Sequence, residues 1–273
     1  MNRPLQIQGV RTPSAFTIVE LLAVLVVLAL LASIAKSASA GNRVDRSTVE
    51  CRNNLKQLTV AWSMYAGDNH DQLVCNDLIG PPFSCSWVGG WLDFSASPDN
   101  TNVALLIDHK AYSNYAYLGP YLQTAGVFKC PEDKSAVRIA GILMPRVRSV
   151  SLNNYLGGQE PIWSPSGPVL LFTNMARIKF PSRMFVMLDE RPESIHGGSF
   201  ACDASTAWQL VGWPGFYHQG GGNFSFVDGH TETHRWKDLR TMPKTFISSN
   251  VNIPGDPDIP WLQHHAAGLA TLP

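Results

Sequence analysis

A carboxylate inside an otherwise apolar run is the first place where this sequence could do chemistry. Phe16 to Ala35 reads FTIVELLAVLVVLALLASIA, apolar apart from Thr17, Glu20 and Ser33. An ionisable side chain in hydrocarbon is costly, of the order of 2.5–3.5 kcal/mol for Asp, Lys or Arg at mid-helix. Glu20 therefore calls for a partner. Cleavage between Ala15 and Phe16 would create one, because the new amine of Phe16 is a cation one helical turn away. A negative charge in the first turn also suits the helix dipole.

The second group of chemistry-bearing residues lies near the C-terminus. His230, Glu232 and His234 alternate along a run that reads as a strand, so they share one face. Such a His-x-Glu-x-His face could bind a divalent metal with His218 as a further donor. The favoured reading is plainer: a solvated polar face, with Phe224 and Phe226 buried. His218 is expected to hydrogen-bond the Asp228 carboxylate or a turn backbone group, pinning the glycine-rich loop to the hairpin. Asp189 and Glu190 end an apolar run, Arg183 to Leu188, where an acid pair is either a ligand site or, more commonly, a turn. Asp189, Glu190, Asp203 and Asp228 could offer oxygen donors to Ca2+, but their spacings fit no calcium-binding loop. No Ser/His/Asp, phosphate-loop or GxSxG pattern appears, and no base stands beside Cys130 in sequence, so an enzyme is not expected.

These residues sit in a chain of 273 residues, enough for one medium domain plus an anchor. Charged residues are only 15% of it, which argues against disorder. The formal net charge is zero, which leaves no electrostatic footprint for nucleic acid. None of the five cysteines has metal-type CxxC spacing. Outside the cytoplasm, bridges become available in any of 15 two-bridge patterns, among which Cys75–Cys85, flanking a short Gly/Pro loop, is the first to examine, the alternative being buried free thiols.

The apolar run of 20 residues is long enough to cross a hydrocarbon core of about 30 Å as a helix. Arg3 and Arg11 precede it with no acid among residues 1–15, which holds the N-terminus in the cytoplasm. A secretory signal cut after Ala38-Ser39-Ala40 fits less well, because the run is too long and contains an acid. A plain single-span anchor leaves Glu20 unexplained. Beyond the span, Cys51, Leu55, Leu58, Trp62 and Tyr65 recur at helical spacing and predict a core-facing stripe. Gly67-Asp68-Asn69 reads as the stop, so one helix is expected from Phe16 to about Ala66. A short helix is expected over residues 101–109, and strands over 147–152, 169–172 and 183–188. Asp228-Gly229 reads as a two-residue hairpin turn that sets Val227 opposite His230, Ser225 opposite Glu232 and Asn223 opposite His234.

Phe16-Thr17-Ile18-Val19-Glu20-Leu21-Leu22 resembles the processing motif of type IV pilins and type II secretion pseudopilins. In that family a prepilin peptidase cuts before the Phe and methylates its new amine. The preceding residue is usually Gly, and here it is Ala15. Three further stretches resemble a subset of pseudopilin-like proteins: Asn53-Asn54-Leu55-Lys56-Gln57-Leu58 with Asp68-Asn69, then Val127-Phe128-Lys129-Cys130-Pro131 with Asp133, then an H-x9-DG signature formed by His218, Asp228 and Gly229.

The resemblance implies an α+β, pilin-like fold: a long N-terminal helix, half in the membrane, packed on an antiparallel sheet with long loops. Residues 1–15 would be a cytoplasmic leader, 16–35 the transmembrane helix, 36–66 its continuation, and 67–273 an extracytoplasmic domain with the hairpin at 218–236. The implied role is a structural subunit of a type IV pilus or secretion pseudopilus, in the bacterial inner membrane with its domain in the periplasm, or in a surface filament. Its partners would be prepilin peptidase, other pilin-like subunits and the inner membrane. No cofactor is expected, although some pseudopilins carry calcium near the C-terminus, and Asp189, Glu190, Asp228, His230 and His234 are the residues to watch for a divalent metal. The alternative is a membrane-anchored binding module that displays a Trp-rich domain to a polymer such as a polysaccharide.

Overall fold

The computed structural model describes residues 17–40, 46–76, 85–158, 171–204 and 208–267. Ala15 and Phe16 lie outside them. The chain divides into two units, Met1–Val44 and Asp45–Pro273.

The first unit holds helix α1, Ile18–Ala40. Apart from Glu20 in the first turn, its described side chains are apolar on every side and exposed, from Ile18 at 79% to Leu30 at 58%. A helix with no polar face has no preferred side to lay on a soluble core. Thr17 caps it. The Glu20 amide donates to Thr17 Oγ1 (3.3 Å), and the Thr17 amide donates to Glu20 Oε2 (2.9 Å). This reciprocal pair is a capping box, and it gives Glu20 a partner within its own helix. Among the residues whose side chains are described, no helix is long and apolar enough to cross a membrane.

The second unit is α+β. It opens with α2, Arg46–Asp68. α1 and α2 together cover most of the single helix expected from Phe16 to about Ala66, and residues 41–45 between them lie outside the described residues. Cys51, Leu55, Leu58 and Trp62 are buried as their spacing requires, joined by Thr59, Ala61 and Ala66. Tyr65 is only half-buried. Burying each of the larger side chains contributes about 1.5–3 kcal/mol. The helix ends at Asp68, within the Gly67-Asp68-Asn69 stop, and in the turn that follows the Asp71 amide reaches back to Ala66 O (2.8 Å).

A short helix α3, Ala104–Ile107, replaces the longer one expected there. Strands β1 (Ala136–Ile139) and β2 (Ile142–Pro145) form an exposed hairpin. The central sheet uses β3 (Val150–Asn153), β4 (Phe185–Asp189), β5 (Ser199–Phe200), β7 (Gly221–Phe226) and β8 (Thr231–Arg235), in the order β5-β3-β4-β7-β8. β6 (Gln209–Leu210) pairs with β9 (Val251–Asn252), and α4 (Asp258–Ala267) closes the described chain. The sheet is antiparallel except at one edge, where β3 and β5 run parallel. That edge departs from the antiparallel sheet expected. Of the strand expected over 169–172, residues 169 and 170 lie outside the described residues, and Phe172 forms an isolated bridge to Leu156.

β3, β4 and β7 are buried on both faces, because each face has its own cover. On one side Thr59 of α2 donates to Ser225 Oγ at 2.7 Å. On the other the Trp261 ring of α4 meets Phe224 at 5.1 Å. Alternation along β7 puts these contacts on opposite faces, so the unit is helix, sheet, helix in layers. The Cys75–Cys85 disulfide is present as the loop suggested.

The hairpin register differs from expectation by one residue. Phe224 faces Glu232 and Ser225 faces Thr231. The turn is a three-residue loop: the Phe226 amide donates to His230 O (2.9 Å), and Gly229 takes φ +86°. A type I turn closed by a left-handed glycine suits Asp228-Gly229 as well as the two-residue turn does.

Candidate metal centre

Four segments converge beneath the N-terminal turns of α2. Cys51 heads the buried stripe of that helix. Cys130 follows a 3-10 turn at Ala125–Phe128, which Thr124 caps through its hydroxyl. The Cys130 amide donates to Ser149 Oγ (2.7 Å), and the Ser149 amide donates back to Phe128 O (3.0 Å), fixing the cysteine against the start of β3. Asp189 ends β4. His218 opens the turn into β7, where its amide and that of Gly221 bond each other's carbonyls. That turn needs two successive left-handed residues, Gln219 (φ 55°) and Gly220 (φ 80°). A side chain at Gly221 would put its Cβ 2.5 Å from His234 O, so the glycine run also lets β8 approach closely.

Cys51, Cys130, Asp189 and His218 are each 2% exposed or less. One ligand atom from each lies within 4.8 Å of all the others. Cys51 Sγ is 3.1 Å from both carboxylate oxygens of Asp189. His218 Nε2 is 3.3 Å from Cys130 Sγ and 3.1 Å from Asp189 Oδ2. His218 Nδ1, on the far side of the ring, meets Thr48 Oγ1 at 3.1 Å. Asn223 Nδ2 is buried and makes no hydrogen bond. It lies close enough to Cys51 to favour the thiolate, while Asn223 Oδ1 is taken by Thr233 Oγ1 (2.6 Å).

The electrostatics follow from burial beside charge. Burial pushes the Cys51 thiol well above its ordinary value, helped by its hydrogen bond to Cys130 and the Asp189 charge. The hydrogen bond from Cys51 holds Cys130 below its ordinary value, against burial. Burial alone would lower His218, but hydrogen bonds to Asp189 and Cys130 outweigh it and raise the imidazole to about 10.

This arrangement is not a nucleophilic relay. A Cys-His-Asp relay places the thiol on one ring nitrogen and the carboxylate on the other. Here both lie on Nε2, and Nδ1 faces a hydroxyl. Two sulfurs, one imidazole nitrogen and one carboxylate oxygen instead point at a common centre. Such a set can hold a single thiophilic cation.

Of the metal candidates read from the sequence, only Asp189 and His218 join this cluster. Glu190 turns away: Ser151 (2.6 Å) and Ser194 (2.7 Å) donate to its carboxylate, and burial raises it to about 7. Asp228 is not the partner of His218. It pairs with exposed His230 at 2.5 Å, and that ring stacks on Phe226 at 4.2 Å. His234 lies 3.6 Å from Asp258 and stacks on Trp261 at 3.6 Å. The His230-Glu232-His234 face is thus partly covered by α4 and forms no ligand cluster among the described residues. Asp203 is buried outside the cluster.

The H-x9-DG stretch is split by strand β7, with His218 at the buried end and Asp228-Gly229 in the turn at the other. Cys51, Cys130, Thr48 and Asn223 were missed by sequence reasoning. Cys51 read as core, and Cys130 lacked a base only along the chain, since His218 supplies one in space. The available signal was that Cys51, Cys130, Asp189 and His218 each sit in a stretch singled out for another reason.

No family model, curated protein or solved structure matches this chain.

Proposed function

We propose that this protein is a pilin-like structural subunit, held in the bacterial inner membrane by α1 and assembled through it into a type IV pilus or secretion pseudopilus. The observation that carries the reading is α1, apolar on every described side, followed in sequence by an amphipathic α2 seated on the sheet of an α+β domain. The apolar part of α1, from Ile18 to Ala35, is about 27 Å long at 1.5 Å per residue, and with Phe16 and Thr17 the apolar run matches the roughly 30 Å of a hydrocarbon core. Lipid or neighbouring α1 helices are the surroundings that suit such a surface.

The Thr17–Glu20 capping box bears on assembly. It satisfies the Glu20 carboxylate while a subunit is alone in the bilayer. Once the leader is cut at Ala15, the Phe16 amine of a neighbouring subunit competes for the same carboxylate. Exchange of a local hydrogen bond for an intermolecular ion pair would then select the axial register.

The test is intact mass and N-terminal sequence of the protein from native membranes. A chain beginning at N-methylated Phe16 supports the reading. A chain beginning near Gly41, or an uncut Met1, overturns the processing step. The Glu20→Ala variant should insert and be cleaved but fail to enter filaments, and normal incorporation would count against it.

A further inference from the structure

We propose that Cys51, Cys130, Asp189 and His218 together bind one Zn2+ ion in a closed structural site that clamps α2 to the sheet. The proposal does not depend on how the chain is anchored or assembled.

Ligand spacing carries the first part of the argument. A tetrahedral zinc with bonds of about 2.0–2.3 Å sets its donors about 3.3–3.8 Å apart. The sulfur–oxygen, sulfur–nitrogen and nitrogen–oxygen approaches here are 3.1, 3.3 and 3.1 Å, and no pair exceeds 4.8 Å. Small side-chain adjustments would bring the four donors to that spacing.

Donor type selects the metal. Two thiolates exclude Ca2+ and Mg2+, which take oxygen ligands. A mixed sulfur, nitrogen and oxygen set of four suits Zn2+, whose filled d shell imposes no other geometry. All four donors come from the protein and all are buried, so no coordination position is left for substrate. That is the form of a structural site, not a catalytic one.

The surroundings point the same way. Thr48 engages His218 Nδ1 and so turns Nε2 toward the centre, the outer contact that orients a metal-bound imidazole. Asn223 Nδ2 is a buried donor with no acceptor, an uncommon cost in a folded protein. A Cys51 thiolate on a metal is an acceptor beside it, and so accounts for the otherwise idle amide.

Binding is an acid–base exchange with no redox change. The two thiols lose their protons to solvent, as does Nε2 of any imidazolium, and Nδ1–H remains to donate to Thr48. The four donors tie α2, the Cys130 segment, β4 and the turn before β7 to a single point. Loss of the ion would release α2 from the sheet on its Cys51 side.

The test uses the full chain extracted from membranes in detergent with no metal added. Elemental analysis should find about one zinc per chain. Replacement by Co2+ should give the visible bands of four-coordinate cobalt together with thiolate charge transfer. Thr48→Val keeps all four ligands and should weaken zinc binding 10–100-fold with the fold retained. Cys202→Ser, outside the site, should change nothing. The proposal is overturned by a wild-type chain that carries no zinc and takes up no Co2+ with a thiolate band. It is overturned equally by a Cys51–Cys130 disulfide in the native protein, or by full zinc content in a Cys51→Ala, Cys130→Ala double variant.

Discussion

Asn153 offers a sharp test of how the layers are joined. It is fully buried in β3. Its Nδ2 donates to Phe185 O in β4 and to Ala266 O in the last turn of α4, both at 2.8 Å, and its Oδ1 accepts from the Tyr155 amide at 3.1 Å. One side chain thus ties two strands to the end of the helix that covers them, where carbonyls have no partner within the helix. Asn153→Leu keeps the volume close and removes all three bonds. At a net contribution of about 1 kcal/mol each, with buried groups left unpartnered, the loss should be about 3–4 kcal/mol. That is a large part of a typical stability of about 5–15 kcal/mol. For a domain of this size it corresponds to a fall in Tm of about 6–15 °C. Asn153→Asp should be worse, since it keeps the acceptor, loses both donors and sets a carboxylate against two carbonyl oxygens. The assay is thermal unfolding followed by circular dichroism, with hydrogen exchange across residues 258–267 to show α4 loosening first. A Tm for Asn153→Leu within about 2 °C of the parent would refute the reasoning.

Other expectations concern acid and oxidation. Burial lowers His234, His264 and His265 below the ordinary 6.5, against the pull of Asp258 on His234 and of the Trp261 carbonyl on His265, with Arg183 adding to the lowering at His264 and His265. The unfolded chain then binds more protons at these three groups, so their contribution to stability is lost as pH drops through about 6.5, against the opposite contribution of Glu190, and His234→Phe, which preserves the stack on Trp261, should make the fall in stability between pH 7 and 5 smaller. An unchanged slope would remove His234 from the account. The Cys75–Cys85 bridge closes a loop with a sequence separation of 10, so replacing both cysteines by Ala should cost about 2–3 kcal/mol, read as a lower denaturant midpoint.

What could be read from the sequence follows the range of the interactions. The stripe Cys51, Leu55, Leu58, Trp62 was legible because helix periodicity is local, and the Cys75–Cys85 bridge because its loop is short. The turn at Asp228-Gly229 was legible in place but not in kind. Two turn types accept that dipeptide, and one residue of difference turned Ser225 from Glu232 to Thr231. The parallel β5 is two residues long and set wholly by packing. The quartet was hidden for the same reason: Cys51 and Asp189 are 138 residues apart and Cys130 and His218 are 88 apart, so no spacing rule could join them.

That separation also sets a calendar for the chain. Cys51 and the stripe behind it are made early, and the strands that receive them, β4 and β7, come late, with β8, β9 and α4 following β7 among the described elements. Until β4 and β7 are made, α2 lacks the sheet that covers much of its buried side. Contacts between distant parts of a chain form slowly, because a long loop must close before they are rewarded. A nascent or truncated chain therefore presents a bare amphipathic helix to chaperones and proteases, and the finished chain does not. The stretch from β4 to β8 thus acts as a late cover for a helix made near the start of its unit.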